Sequence, residues 1–166
     1  KFKRKKQRRL RKMVKVSLED LKKLRSETQA SVSDCRKALE ESGGDYKKAL
    51  KWLKKRGIEK AEKKAGRQTQ QGLIDSYIHQ NGKVAAMVEL LCETDFVART
   101  GEFRNLAHEI SMQVAAMNPK NVDALLKQEY IRDSSKTIES LVKMAIGKLG
   151  ENITIKQFQR FAIGQD

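Results

Sequence analysis

The apolar pattern of this chain changes period once, in its middle, and that change constrains the fold more than any other feature. Val84, Ala86, Val88 and Leu90 alternate with other residues, so the segment from Gly82 to Leu91 reads as a strand with one buried face. Downstream, Phe103, Leu106, Ala107, Ile110 and Val114 recur at three- and four-residue spacing, the signature of a helix with one apolar stripe. Leu73 to His79 precedes the strand, and Asn81-Gly82 stands between the two runs. Both turn residues tolerate positive φ, so an antiparallel hairpin is expected there. A hairpin feeding directly into an amphipathic helix points to an α+β layer packing.

The junction between the two periods, Cys92-Glu93-Thr94-Asp95-Phe96-Val97-Ala98-Arg99, carries the most informative polar residues. Thr94 and Asp95 have the short side-chain oxygens that cap orphan N–H groups where a strand gives way to a helix. Phe96 follows on a segment too short to bury it in a regular element. An aromatic at such a tip is either a plug for its own core or a probe for a pocket on another protein.

Composition excludes several classes. The 166 residues suit one ordinary domain, or one domain with a small accessory module. No apolar run approaches the roughly 18 to 20 residues that span a bilayer, and no hydrophobic leader precedes the first charges. These features lead to the expectation of a soluble intracellular protein with no membrane association. Residues 1–12 hold nine Lys or Arg and no acid, more than half of the net charge of +15. Met13 then opens a stretch that resembles a translation start. The basic arm therefore reads as an artefactual extension or as a genuine disordered tail making nonspecific, salt-sensitive polyanion contacts. Cys35 and Cys92 have neither metal nor redox spacing and read as small buried hydrophobes. His79 and His108 have no nucleophile or ligand beside them in sequence, and no Gly-rich phosphate loop is present. The expectation is a non-enzyme with no catalytic residue, metal or cofactor.

Upstream of the hairpin the pattern is helical. Ser17-Leu18-Glu19-Asp20 has the form of a capping box, with Leu18, Leu21 and Leu24 on one face. A second helix is expected from Ser31 or Ser33, carrying Val32, Cys35, Ala38 and Leu39 inward and ending at Gly43-Gly44. Asp45 can cap a third, with Tyr46, Ala49, Leu50, Trp52 and Leu53 as its stripe and Gly57 as its end. Three short helices in this length are similar in pattern to the ubiquitin-associated fold. Residues 58–71 begin as helix and continue as a polar connector, kept slim by Ala61, Ala65 and Gly66, and read as a linker. Beyond the central helix, which should stop near Asn118-Pro119, comes a polar stretch. Ser134 or Ser135 then caps a last helix bearing Ile138, Leu141, Val142, Ala145 and Leu149. Gly150-Glu151-Asn152-Ile153 opens a final strand expected to complete a three-stranded antiparallel sheet. The domain reading is an arm over 1–12, a three-helix module over 13–57, a linker over 58–71 and an α+β core over 72–166.

The wording of several of these segments resembles the elongation factor Ts family. Cys92 to Arg99 is close to that family's signature, and Gly72 to His79 is close to its first core strand. The Gly57-Ile58, Lys60-Ala61 and Lys63-to-Arg67 wording resembles its linker. Gly150 to Ile153, with Arg160-Phe161 beyond, resembles its last strand. The run from Leu24 to Leu39, followed by Gly44-Asp45, is similar to the family's Leu-Arg-x-x-Thr-Gly-Ala-Gly-Met-Met-Asp-Cys-Lys-x-Ala-Leu. It departs from it at Gln29 and Ser31, where glycine is usual, and at Val32-Ser33, which replace the Met pair. The gap between Pro119 and Gln128 is only a few residues. Longer members carry a second core half and a helical excursion there, so this chain resembles a short form with one core subdomain.

The resemblance implies a guanine-nucleotide exchange factor that binds elongation factor Tu in its GDP-bound and nucleotide-free forms and promotes GDP release. It implies that Phe96 enters a pocket of the partner near its magnesium and nucleotide site, with Asp95 fixing the wedge and Thr94 and Arg99 holding the turn; Val97 belongs to the same contact segment. By the same resemblance Arg25, Val32 and Ser33 are contacts of the N-terminal module, the shorter Val-Ser pair offering less apolar area than two thioethers. A homodimer could replace the missing core half. The implied setting is the bacterial cytoplasm, or alternatively an organelle. Two other readings remain: a basic RNA- or ribosome-associated protein, and a ubiquitin-associated-like adaptor that leaves the Thr-Asp-Phe turn without a role.

Overall fold

The computed structural model describes residues 16–28 and 30–164, so the basic arm of residues 1–12 and Gln29 lie outside the described residues. The chain divides between Arg56 and Gly57 into two compact units.

The first unit contains helices α1 (Leu18–Thr28) and α2 (Val32–Glu41) and the start of α3 (Tyr46–Glu62). Each start has a local cause. Ser17 Oγ accepts from Asp20 N at 3.3 Å, Ser31 Oγ from Asp34 N at 3.1 Å, and Asp45 Oδ1 from Lys48 N at 3.0 Å. Gly43 and Gly44 both take positive φ after α2, and Gly44 N donates back to Leu39 O at 2.9 Å. Leu24, Cys35, Ala38, Leu39, Ala49 and Leu53 form the core, with Leu21, Tyr46, Leu50 and Trp52 packed around it. Two expectations fail at its edges. Leu18 is 74% exposed, because it sits at the first helical position, before the apolar face of α1 turns inward. Val32 is exposed as well, at the first position of α2.

The second unit is an antiparallel sheet packed with helices, as the α+β pattern required. Strands β1 (Gln71–Ile78), β2 (Val84–Cys92) and β5 (Ile153–Ala162) lie in the order β1-β2-β5. Helices α4 (Asp95–Ala98), α5 (Gly101–Met117), α6 (Val122–Lys127) and α7 (Ile138–Leu149) complete it, with a small second sheet of β3 (Glu129–Tyr130) and β4 (Asp133–Thr137). Ala86, Val88, Leu90 and Cys92 point from β2 into the core, where they meet Phe103, Ala107, Ile110 and Val114 of α5. The β2–β5 register shifts between Glu89 and Leu90, which leaves Lys156 as an extra residue on β5. The hairpin turn is longer than the Asn-Gly pair suggested. His79 N donates to Val84 O at 2.8 Å, only Gly82 takes positive φ, and Asn81 Oδ1 accepts from Lys83 N at 3.0 Å.

Four further expectations are corrected here. Gly57 does not end α3. A Cβ added at Gly147 would sit 2.9 Å from Gly57 Cα, so the bare Gly147 lets α7 pass against the α3 backbone at Gly57, inside the helix. Ala61, read as part of a slim linker, is 2% exposed and belongs to the second core, since it lies one turn beyond that crossing. The stretch after Pro119 contains α6, capped by Asn121 Oδ1 on Ala124 N at 2.8 Å and anchored by buried Leu125. Neither Ser134 nor Ser135 caps the last helix. Both lie in β4, and Thr137 caps α7 in a reciprocal box with Ser140.

Candidate functional site

β2 ends at Cys92 and the chain turns at once into the single helical turn α4. Thr94 is its N-cap: the side-chain oxygen accepts from Val97 N at 3.4 Å. Thr100 caps α5 in the same way, accepting from Phe103 N at 3.3 Å while its hydroxyl donates to Val97 O at 2.8 Å. Two caps six residues apart therefore clamp the short helix between strand and long helix.

The helical period of that turn decides what is presented, with Asp95, Phe96 and Arg99 outward and Val97 and Ala98 inward. Val97 is 4% exposed and Ala98 is buried with it, both in the second core. Phe96 faces the other way and is 78% exposed, the most exposed large apolar side chain among the described residues. The core-plug alternative for Phe96 is thereby removed. Val97, by contrast, faces inward, and its side chain holds the turn from beneath. Asp95 is exposed and pairs with Arg99 Nη2 at 2.7 Å along the same helix turn. Such an exposed pair contributes little to stability, but it keeps both charges beside Phe96. Asp95, Phe96, Arg99 and Thr100 line a shallow depression of about 310 Å³ that opens to solvent.

Residues distant in sequence hold this turn. Glu151, just before β5, accepts from Thr94 N at 2.9 Å and from Thr94 Oγ1 at 2.6 Å. Glu93, on the turn side, accepts from Asn152 N at 2.6 Å, and its other oxygen lies 3.5 Å from Arg67 Nη1. Asn152 is 2% exposed, and its amide donates to Arg67 O at 2.8 Å and Ala65 O at 3.4 Å. Beneath them the Cys92 thiol, pushed up from its ordinary pKa by burial, donates to Thr94 O at 3.1 Å. The sequence reading passed over Glu93, Glu151 and Asn152. The available signals were that Glu-Thr and Glu-Asn flank two predicted element starts and that both pairs fall within the family-like wording.

The candidate residues of the first unit form a separate group. Arg25 is exposed on α1, and Val32 and Ser33 are exposed in the first turn of α2, next to the cap at Ser31. Among the described residues there is no group of three or more His, Cys, Asp or Glu that could hold a metal ion, and no helix long and apolar enough to cross a membrane.

Phe96 is thus an exposed aromatic on a turn pinned at both ends, with polar and charged neighbours. The family described as elongation factor TS matches residues 93–166, which begin at this turn. An elongation factor Ts of Coprothermobacter proteolyticus is 40% identical over 195 residues, covering 90% of this chain and 99% of the relative. Those of Nitratidesulfovibrio vulgaris and Rippkaea orientalis are 39% and 38% identical, covering 98% and 80% of the relatives and 91% and 92% of this chain. The chain belongs to the elongation factor Ts family, whose members act in translation elongation as nucleotide exchange factors for elongation factor Tu. The aligned spans exceed the 166 residues of this chain, so the relatives carry segments that it lacks.

Proposed function

We propose that this chain binds elongation factor Tu through the Thr94–Arg99 turn and promotes GDP release by inserting Phe96 beside the partner's magnesium and nucleotide site. The observation that carries this reading is the outward position of Phe96 beside the buried Val97 and Ala98. An exchange factor performs no covalent step. It accelerates escape of GDP by stabilising the nucleotide-free partner, and linkage makes GDP weaken its own binding by the same ratio. Each tenfold loosening needs about 1.4 kcal/mol of differential contact. Fully burying a Phe side chain contributes about 1.5–3 kcal/mol, so insertion of Phe96 accounts for one to two decades. Asp95, paired in the free chain with Arg99, is placed to exchange that weak pair for a partner helix end. Arg25, Val32 and Ser33 supply a second contact from the module of residues 13–57, joined to the core of residues 72–166 by residues 58–71, whose Ala61 packs into that core. The setting is the bacterial cytoplasm, in keeping with the bacterial relatives.

Release of a fluorescent GDP analogue from elongation factor Tu, followed by stopped flow, tests the reading. Wild type accelerates release, and Phe96→Ala slows exchange about 10- to 100-fold while shifting stability by less than about 0.5 kcal/mol, as expected for an exposed position. Full exchange by the variant would remove the wedge.

Two further contacts have specific support. The outer face of the sheet exposes Ile74, Ile78, Met87 and Phe161, with Ile78, Ala85 and Phe161 in one cross-strand row, which favours self-association into a homodimer. Sedimentation would detect it, and Phe161→Glu should return the chain to monomer mass. The alternative of an RNA- or ribosome-associated protein draws on Lys47, Lys51, Lys54 and Lys55, all exposed on α3 at helical spacing. Such a face gives polyanion binding that weakens steeply with salt.

A further inference from the structure

We infer that Glu151 and Glu93 are positioning residues that hold the Thr94–Arg99 turn so that Phe96 points outward; the inference rests on the wedge reading above. α4 is a single turn of four residues. A helix that short is not stable alone, because nucleation costs more than one turn of hydrogen bonds returns. Its orientation must come from outside it. The buried side chains of Val97 and Ala98 supply one anchor, and the cap at Thr94 supplies the other.

That cap is gripped by a carboxylate. Glu151 takes both donors of Thr94, the backbone N–H at 2.9 Å and the hydroxyl at 2.6 Å, from 57 residues away in sequence. Because the Thr94 hydroxyl proton is committed to Glu151, its lone pairs are left to accept from Val97 N, which sets the first turn of α4. Glu93 makes the reciprocal contact, its oxygen accepting from Asn152 N at 2.6 Å. Residues 93–94 and 151–152 thus exchange carboxylates, each bound to the other's backbone, and the buried Asn152 amide ties the pair to Arg67 O. Charged acceptors on backbone donors are the stronger class of hydrogen bond. Two of them at the base of a one-turn helix restrict the direction of the next exposed side chain, which is that of Phe96. Preorganisation of this kind reduces the ordering cost at binding.

The test uses the full chain with Glu151→Gln, Phe96→Ala and the double variant. Glu151 serves the two Thr94 donors with separate oxygens, and glutamine replaces one of these with an NH2 that cannot accept, besides removing the charge. Loss of one charge-assisted bond corresponds to about a 10- to 100-fold change in a local equilibrium. Amide exchange of residues 94–99 should therefore accelerate by that order in Glu151→Gln. The thermal transition of the second unit should move little, because Glu151 lies at the edge of its core. Exchange activity should fall in Glu151→Gln, and Thr94→Val, which removes the hydroxyl that Glu151 holds, should copy that variant. In the Phe96→Ala background Glu151→Gln should produce no further fall. Unchanged amide protection in Glu151→Gln overturns the inference, as does a Glu151→Gln penalty that persists undiminished without Phe96. Full exchange by Phe96→Ala removes the wedge itself, an outcome distinguishable from the first because the amide measurement needs no partner.

Discussion

The two candidate contact regions are built in opposite ways. Arg25, Val32 and Ser33 stand on helices whose starts are set by Ser17 and Ser31, each bonded three residues ahead. The turn at Thr94–Arg99 has a local cap as well, but its orientation depends on Glu151 and Asn152, 57 and 59 residues downstream of their partners. The first region is a surface that its helices carry by themselves, over a core of six buried residues. The second exists only when strand, helix and final strand have come together. The lesson is that an exposed side chain can be local in sequence and yet wholly dependent on long-range contacts for its direction.

That contrast can be broken in several ways. The largest effect should come from Phe103→Ala, since Phe103 is fully buried under the turn. It should cost about 3–5 kcal/mol and abolish amide protection at residues 94–99. Trp52, the lone tryptophan, packs in the first unit, so its fluorescence transition in urea should hardly move. A shared shift of both signals would show that the units unfold together. Next in size, Gly147→Ala forces a Cβ to 2.9 Å from Gly57 Cα, a backbone atom that cannot step aside. A penalty of about 1–3 kcal/mol is expected in urea melts, against a gain had the position been an ordinary open helix site.

A smaller effect is expected on the first region. Val32→Ala removes a side chain that is already 44% exposed, so stability should change by less than about 0.5 kcal/mol. Affinity for elongation factor Tu should fall only a fewfold if the patch is a contact, and Val32→Met should raise it. The smallest effect lies away from both regions. Lys136 and Ser135 hold the Asp133 carboxyl down from 3.8 to about 2. A depressed carboxylate contributes stability above its unfolded pKa and loses it as pH falls. The contribution of Asp133 should therefore disappear between about pH 4 and pH 2, and Asp133→Asn should flatten that part of the acid unfolding curve.

Much of the fold was legible because its causes are local. Period-two alternation from Val84 to Leu90, helical spacing from Phe103 to Val114, and short polar caps at Ser17, Ser31 and Asp45 each act within a few residues. Where two local causes compete, sequence reasoning chose wrongly. Gly57 has the chemistry of a helix end, and Ser134-Ser135 has the chemistry of a cap. In the folded chain the first lies inside α3, where its backbone packs against the bare Gly147, and the second is taken into a strand pair whose Asp133 already bonds Ser135.

The candidate site divides the same way. Sequence alone determined that a cap would fall at Thr94 or Asp95, that Phe96 had no regular element to bury it, and that the wording of the turn resembled one family. It could not determine which way Phe96 faces, that Val97 faces inward, or that Glu93, Glu151 and Asn152 hold the base. Those facts belong to the tertiary structure, because a carboxylate's partner 57 residues away leaves no periodic trace, and only close packing brings the two ends of the clamp within hydrogen-bond distance.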